Sequence, residues 1–238
     1  MRTPRTPAEV LAGLLRSDPA RPRVTWYDDT PGPSAGERIE LSGKVLANWV
    51  NKAANALQDE FDIAPGSTVR LALPPHWRAL YWALAVWSVG GCVALGDADG
   101  ADLTVTDDAE TAAAAEPAVL VTLPALARSA PGGTPPGVVD EARELSTFGD
   151  QFTAWEEPGV DDPALRTDTG DTAYSDVVPQ QDWASGTRLH TRSGDLEAVL
   201  RDALAVWAVD GSLVLSRGAA AAARDQARLT AEGVSLER

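Results

Sequence analysis

The stretch Thr68-Val-Arg-Leu-Ala-Leu-Pro-Pro-His-Trp-Arg-Ala-Leu-Tyr-Trp-Ala-Leu-Ala-Val-Trp-Ser-Val-Gly-Gly-Cys-Val-Ala-Leu-Gly-Asp97 decides the fold. Val69, Leu71 and Leu73 form a short apolar run behind the Pro65-Gly66 turn. Pro74 and Pro75 end it, because neither can donate to a strand ladder. From His76 to Val89 the spacing predicts a helix with apolar residues all the way round. Leu80, Leu84 and Trp87 share one face; Trp82, Val86 and Val89 occupy another. A helix of that kind is covered on every side. Gly90 and Gly91 stop it, and 92–95 reads as a second apolar strand, so the segment is a βαβ unit with a buried crossover helix. No charge falls between Ala79 and Leu95. Ser88, the paired glycines and the β-branched tail nevertheless interrupt a continuous apolar helix, so a core segment is expected rather than a membrane span.

On the N-terminal side, 7–17 is amphipathic, with Val10, Leu11, Leu14 and Leu15 along one face. Residues 23–27 and 38–41 read as strands joined by the Pro/Gly-rich turn 31–36, a hairpin expected on the rim. Ser42 suits an N-cap. The helix it opens runs to about Glu60, with Val45, Leu46, Trp49, Val50, Ala53, Leu57 and Phe61 inward. Lys44, Asn48, Lys52, Asn55 and Asp59 are expected to face water.

On the C-terminal side, 102–106 reads as a strand, Asp107 or Asp108 caps an alanine-rich helix, and 118–122 is another strand. After the loop 131–137, Val138 and Val139 begin a strand and 141–145 is a weak helix. Residues 146–181 are turn formers and acids, with Trp155 and Tyr174 as isolated anchors. Then come a strand at 188–191, a helix at 195–209 capped by Ser193, a strand at 212–216 and a helix at 219–231 stopped by Gly233. A last strand begins at 234. This alternation predicts an α/β fold with a mainly parallel sheet flanked by helices. We expect one domain over 1–238: βαβ-rich at 20–130, irregular at 131–186, and returning strand–helix units at 187–238.

Composition narrows the function. With 238 residues, 44% hydrophobic and 23% charged, the chain holds ample core material. A net charge of -15 argues against nucleic acid as a partner, since binding it means neutralising phosphates with Lys and Arg. No apolar stretch follows the arginines at the start, so a cytoplasmic location is expected. Cys92, the single cysteine, permits no intrachain disulfide and reads as a small core residue. His76 and His190 are the only histidines, too few with one cysteine for a zinc site, so no metal is expected. His76 reads as a cap or surface residue and His190 as half exposed on a strand. Ser185, His190 and Asp195 fall within a short span, but Ser185 stands in Ala-Ser-Gly rather than G-x-S-x-G. Neither G-x-G-x-x-G nor G-x-x-x-x-G-K-[ST] occurs. No residue is therefore assigned a catalytic role. Of eight tryptophans, Trp26, Trp155 and Trp183 lie outside the expected helices and suit a pocket or an interface.

Four stretches, taken in order, resemble the N-terminal part of the adenylate-forming enzymes: acyl-CoA synthetases, non-ribosomal peptide adenylation domains and luciferase. They are 41–57 (LSGKVLANWVNKAANAL), 63–73 (IAPGSTVRLAL), 83–95 (ALAVWSVGGCVAL), and 207–215 (WAVDGSLVL) with 229–234 (LTAEGV). The resemblance implies that subdomain's fold and ATP-dependent acyl-adenylate chemistry. It also implies a Ser/Thr/Gly loop ending in Pro-Lys, an aspartate on the ribose and a lysine in a C-terminal domain. Relics of the loop are Thr167, Thr169, Gly170 and Asp171, which follow Asp162-Pro-Ala as the family's loop does, or Ser185, Gly186 and Thr187. Thr169-Gly-Asp171 also matches the ribose-binding triplet, but earlier in the chain than the family has it. Neither site continues into Pro-Lys, and Lys44 and Lys52 are the only lysines.

The resemblance thus implies a truncated, degenerate relative that is non-catalytic or catalytically incomplete and acts by binding a protein partner, a second copy or a small ligand. No cofactor is expected, ATP and AMP being the nucleotides to test. The alternatives are one half of a split acyl-adenylating enzyme completed by a second chain, or a small self-contained α/β enzyme using 188–195.

Overall fold

The computed structural model describes residues 5–96 and 100–238. Arg2 and Asp97, read above with the flanking sequence, lie outside the described residues. Helix α1 (Pro7–Ser17) starts at Thr6, whose hydroxyl accepts from Glu9 N–H while the Glu9 carboxylate accepts from Thr6 N–H at 2.8 Å. This reciprocal cap satisfies donors that the first turn leaves free. Then follow β1 (Pro22–Asp28), β2 (Arg38–Ser42), α2 (Gly43–Phe61), β3 (Thr68–Ala72), α3 (Trp77–Ser88) and β4 (Cys92–Ala94). After these come β5 (Leu103–Thr106), α4 (Ala109–Ala114), β6 (Ala118–Leu120), β7 (Val138–Asp140), α5 (Glu141–Glu144), β8 (Pro163–Thr167) and β9 (Gly170–Ala173). The chain ends with β10 (Arg188–Thr191), α6 (Leu196–Ala208), β11 (Ser212–Arg217), α7 (Ala222–Glu232) and β12 (Leu236–Glu237).

The mainly parallel α/β architecture is built as two sheets, ordered β12-β10-β11-β1-β2 and β7-β6-β5-β3-β4-β8-β9. Among the described residues only β2 and β9, each at one edge, run antiparallel to their neighbours. Helix α3 packs against α1, α2 and α6, against β3 and β4 of the larger sheet, and against β1 of the smaller one. That position explains its composition: every residue from Trp77 to Trp87 is buried. Each large aliphatic side chain so buried contributes about 1.5–3 kcal/mol. Trp87 Nε1 donates to Ala164 O at 2.7 Å and the Tyr174 hydroxyl to Gly91 O at 2.7 Å, tying the α3–β4 junction to β8 and to the residue after β9. Cys92 is core, and burial pushes its thiol pKa up to about 11, leaving it a poor nucleophile at neutral pH.

Several expectations are corrected. Residues 163–173, read as turn formers, make a β8–β9 hairpin, because β8 finds a parallel partner in β4 far back in the chain. His190 is buried at 3% exposure with Nε2 3.1 Å from Ser216 Oγ, since β10 is interior to its sheet. Asp195, not Ser193, caps α6, its carboxylate accepting from Glu197 N–H at 3.0 Å. Trp26 belongs to the core; Trp155 anchors nothing and is 63% exposed. Val45, expected inward, is exposed. On α2 Lys44 and Asp59 are exposed as expected, but two residues of the same face grip distant backbone. Lys52 Nζ donates to the carbonyls of Ser146 and Phe148, and Asn55 Nδ2 to those of Gly149 and Gln151. A polar stripe looks the same in sequence whether its partner is water or a loop's unsatisfied carbonyls.

Candidate functional site

In open α/β sheets ligands sit outside the carboxyl ends of parallel strands. The larger sheet has a crevice of about 470 Å³ at that place. Its floor is the end of β3, from Arg70 to Leu73, with Leu95 and Gly96 after β4; its walls are Thr167–Thr169 and Asp195–Glu197. Thus two of the first group of loop relics, Thr167 and Thr169, line a crevice, while Gly170 and Asp171 lie in β9; Asp168 and Thr169 form the two-residue turn between β8 and β9. Ser185, by contrast, lines a separate cavity of about 910 Å³ beside α1. Ser185–Thr187 lead into β10 at its N-terminal end, whereas Thr167 leaves β8 at its C-terminal end, so the two groups are not brought together. Nor is the Ser185–His190–Asp195 set assembled, because Ser185 and Asp195 stand at opposite ends of β10 and line different cavities.

The turn is closed on itself. Thr167 Oγ1 lies 2.9 Å from Thr169 Oγ1 and accepts from Thr169 N–H at 3.3 Å. Gly186 N–H likewise donates to Val209 O at 2.9 Å, and Thr187 N–H to Ala184 O. Arg166, the cation nearest in sequence to the hairpin turn, makes a two-pronged pair with Asp171 at 3.0 and 2.9 Å, which holds the Asp171 carboxyl below the usual range. Arg70 donates from Nε to Gly96 O at 2.9 Å. Arg201 of α6 bridges Glu197 and Thr172, fastening the smaller sheet's helix to the hairpin. Gly96 is required here, with φ at +82° and an added Cβ falling 3.0 Å from Asp168 Oδ1. The crevice therefore presents Asp168, Asp195 and Glu197 against Arg70. Arg70 and Glu197 were not singled out from sequence; the available signal was a polar residue at the end of an apolar parallel strand.

A second polar group lies where the two sheets' carboxyl ends approach each other. Asp28 at the end of β1 is buried, accepts from Thr30 and Ser34, and faces Arg217 of β11 at 3.9 Å. His76 caps α3 as one of its expected roles: Nδ1 accepts from Arg78 N–H at 3.2 Å. Its other expected role, at the surface, is excluded by burial. The neutral ring therefore carries its proton on Nε2, a buried atom without a protein partner, and stands edge-on to Trp26 at 4.7 Å. Burial, assisted by Arg78 and Arg217 and opposed by Asp28, pushes the His76 pKa down to about 3. Among the described residues no cluster of three His, Cys, Asp or Glu side chains forms a metal site, and no helix is long and apolar enough to cross a membrane.

The depressed pKa has a definite sign. The unfolded imidazole takes up a proton below pH 6.5 and the folded one does not until about pH 3. His76 therefore contributes stability that is present above pH 6.5 and lost as the pH falls, about 1.4 kcal/mol for each unit. His190, lowered in the same direction mainly by burial, adds a parallel slope. His76→Asn keeps a cap acceptor and is expected to flatten the fall of urea stability between pH 6.5 and 5. An unchanged slope would refute the buried neutral ring.

No family model matches the chain. A protein from Mycobacterium tuberculosis described as a TIGR03089 family protein is 38% identical over 168 residues, 67% of this chain and 67% of that one. Among solved structures, an acyl-CoA synthetase from Brucella canis superposes with TM-score 0.75 at 14% identity, over 98% of this chain and 47% of that one. Acetoacetyl-CoA synthetase from Streptomyces lividans gives TM-score 0.75 at 17% identity, over 98% and 42%. The N-terminal domain of FACL13 from Mycobacterium tuberculosis gives TM-score 0.68 at 15% identity, over 98% and 62%. The chain spans less than two thirds of each of these solved proteins. The fold is that of the N-terminal subdomain of adenylate-forming enzymes.

Proposed function

The chain belongs to the TIGR03089 family, and from that premise and its fold we propose a catalytically incomplete relative of the acyl-CoA synthetase and adenylation N-domains that acts by binding. One observation carries this reading: the crevice at the expected phosphate position is lined by Asp168, Asp195 and Glu197, and no lysine follows Lys52. Triphosphate entering there would meet three carboxylates against the Arg70 guanidinium, with no lysine to offset the charge of the transferring adenylyl group, and losing one such electrostatic contact costs about 10²–10³ in rate. The turn that would cradle the phosphates spends the Thr169 N–H on Thr167. A net charge of -15 suits a cationic partner.

The test is ATP–pyrophosphate exchange by the purified chain with fatty, aryl and amino acids. We expect no exchange above the protein-free rate. Exchange that rises with protein concentration and disappears in Thr169→Val would overturn the proposal. A thermal-shift series with ATP, AMP and acyl-CoA runs beside it. A ligand at a hundredfold excess over its Kd adds about 2.7 kcal/mol of stability, and a shift by ATP alone would point back to the nucleotide.

A further inference from the structure

Away from the crevice, α1 and segment 152–158 enclose a groove of about 440 Å³. Leu11 and Leu15 form one wall, Phe152 and Pro158 the other, and Trp87 lies at the bottom. Two carboxylates beside it, Glu156 and Glu157, are exposed, and neither has a partner among the described residues. Next to them Trp155 holds its indole in water at 63% exposure. This indole is not on a loose loop. Trp155 N–H donates to Gln58 Oε1 at 3.0 Å, Gln58 Nε2 donates to Thr153 O at 3.3 Å, and Gln58 is itself buried. Lys52 and Asn55 pin the same segment a few residues earlier. A large aromatic displayed on fixed backbone is pre-organised for contact, because little further ordering is needed when a partner arrives.

We propose that this groove and Trp155 receive a basic amphipathic helix from another protein. The apolar floor takes the helix's apolar stripe, as helix-in-groove recognition does. Glu156 and Glu157 pair with its Lys or Arg side chains, and one of those cations lies over the Trp155 ring. Charge selects this occupant over the others. A second copy would itself carry a net charge of -15, and an anionic lipid surface would meet carboxylates. The proposal rests on the reading of the chain as a binding protein, but it is tested by a separate readout.

Fluorescence anisotropy of a labelled synthetic Leu/Lys amphipathic helix, with the matching Leu/Glu helix as its control, is measured against the full chain. We expect binding of the Leu/Lys helix only, weakened by salt. Trp155→Ala and the pair Glu156→Gln/Glu157→Gln should each weaken it about tenfold or more, in the range typical of an aromatic anchor. Ala12→Arg, which puts a cation on the α1 side of the groove, should abolish it. The charge-matched pair Glu110→Gln/Glu116→Gln, exposed in and just after α4 and away from the groove, should leave it unchanged. These positions are exposed or half-buried, and circular dichroism checks that each variant folds. Equal weakening by the control pair would mean diffuse attraction and overturn the proposal. So would self-association lost in Ala12→Arg, or binding to phosphatidylserine vesicles that shields Trp155. Missing peptide binding with missing pyrophosphate exchange removes the docking site alone; exchange with intact peptide binding removes only the non-catalytic reading.

Discussion

Arg78→Met is expected to lower the unfolding free energy by about 3–5 kcal/mol, the range found when one member of a buried ion pair is removed. The side chains of Arg78 and Glu141 are 4% and 1% exposed, with Arg78 Nη1 2.8 Å from Glu141 Oε1. The Tyr81 hydroxyl donates to the same oxygen, and Arg78 also reaches the carbonyls of Leu123 and Pro124. Burial already holds the Glu141 carboxyl above the usual carboxylate range. Without the guanidinium, a carboxylate remains in the core with only Tyr81 to satisfy it, and it must take up a proton or open the structure. The double variant Arg78→Met/Glu141→Leu removes both charges together and should regain most of the loss, since apolar replacement of a buried pair is often neutral. Urea titration of the two singles and the double completes the cycle. A single-variant loss below about 1 kcal/mol, the level of a surface pair, would show that the pair is not desolvated in solution.

Gly211→Ala should reach or exceed about 3 kcal/mol, the upper part of the overpacking range. Asp210 turns the chain out of α6 with φ at +58°, and Gly211 then passes beneath the end of β10. A Cβ there falls 2.3 Å from Thr187 O and 2.7 Å from Val206 O. Both are backbone atoms, so no side chain can swing aside. Relief requires moving β11, whose Ser212 N–H donates to the same Thr187 carbonyl at 3.0 Å. Buried Arg23 holds this corner by donating to the carbonyls of Asp210 and Gly211, placing a cation at the C-terminal end of α6 where the helix dipole favours it. Gly132→Ala is the contrast: its φ is +83° but nothing lies within 4 Å, so only the left-handed backbone term of about 1–2 kcal/mol applies. Thermal unfolding of the two variants side by side decides the matter, and equal losses would refute the steric account.

Much of the site was hidden from sequence for a reason these residues illustrate. Thr167 and Thr169 could be picked out by residue type and position, and they do border a crevice. Its carboxylates come from two separate places, Asp168 in the turn and Asp195 and Glu197 at the start of α6, and only the closing of the hairpin against α6 through Arg201 makes them one surface. Trp155 shows the converse. An aromatic among turn formers reads as an anchor, yet its backbone is held by Gln58 and its ring is left in water.

The amino-acid sequence by itself determined the local elements: a helix apolar on all sides between two short strands, glycine stops, Asp and Ser caps, and the absence of lysine after Lys52. These follow from forces acting over a few residues, so nearest neighbours suffice to specify them. Tertiary structure alone decided that the strands divide into two sheets with α3 between them, that the polar stripe of α2 holds a distant loop, and which acids share a crevice. Those outcomes depend on groups about a hundred residues apart in the chain satisfying each other's hydrogen bonds and excluding each other's water, and periodicity along one strand or helix carries no record of such a partner.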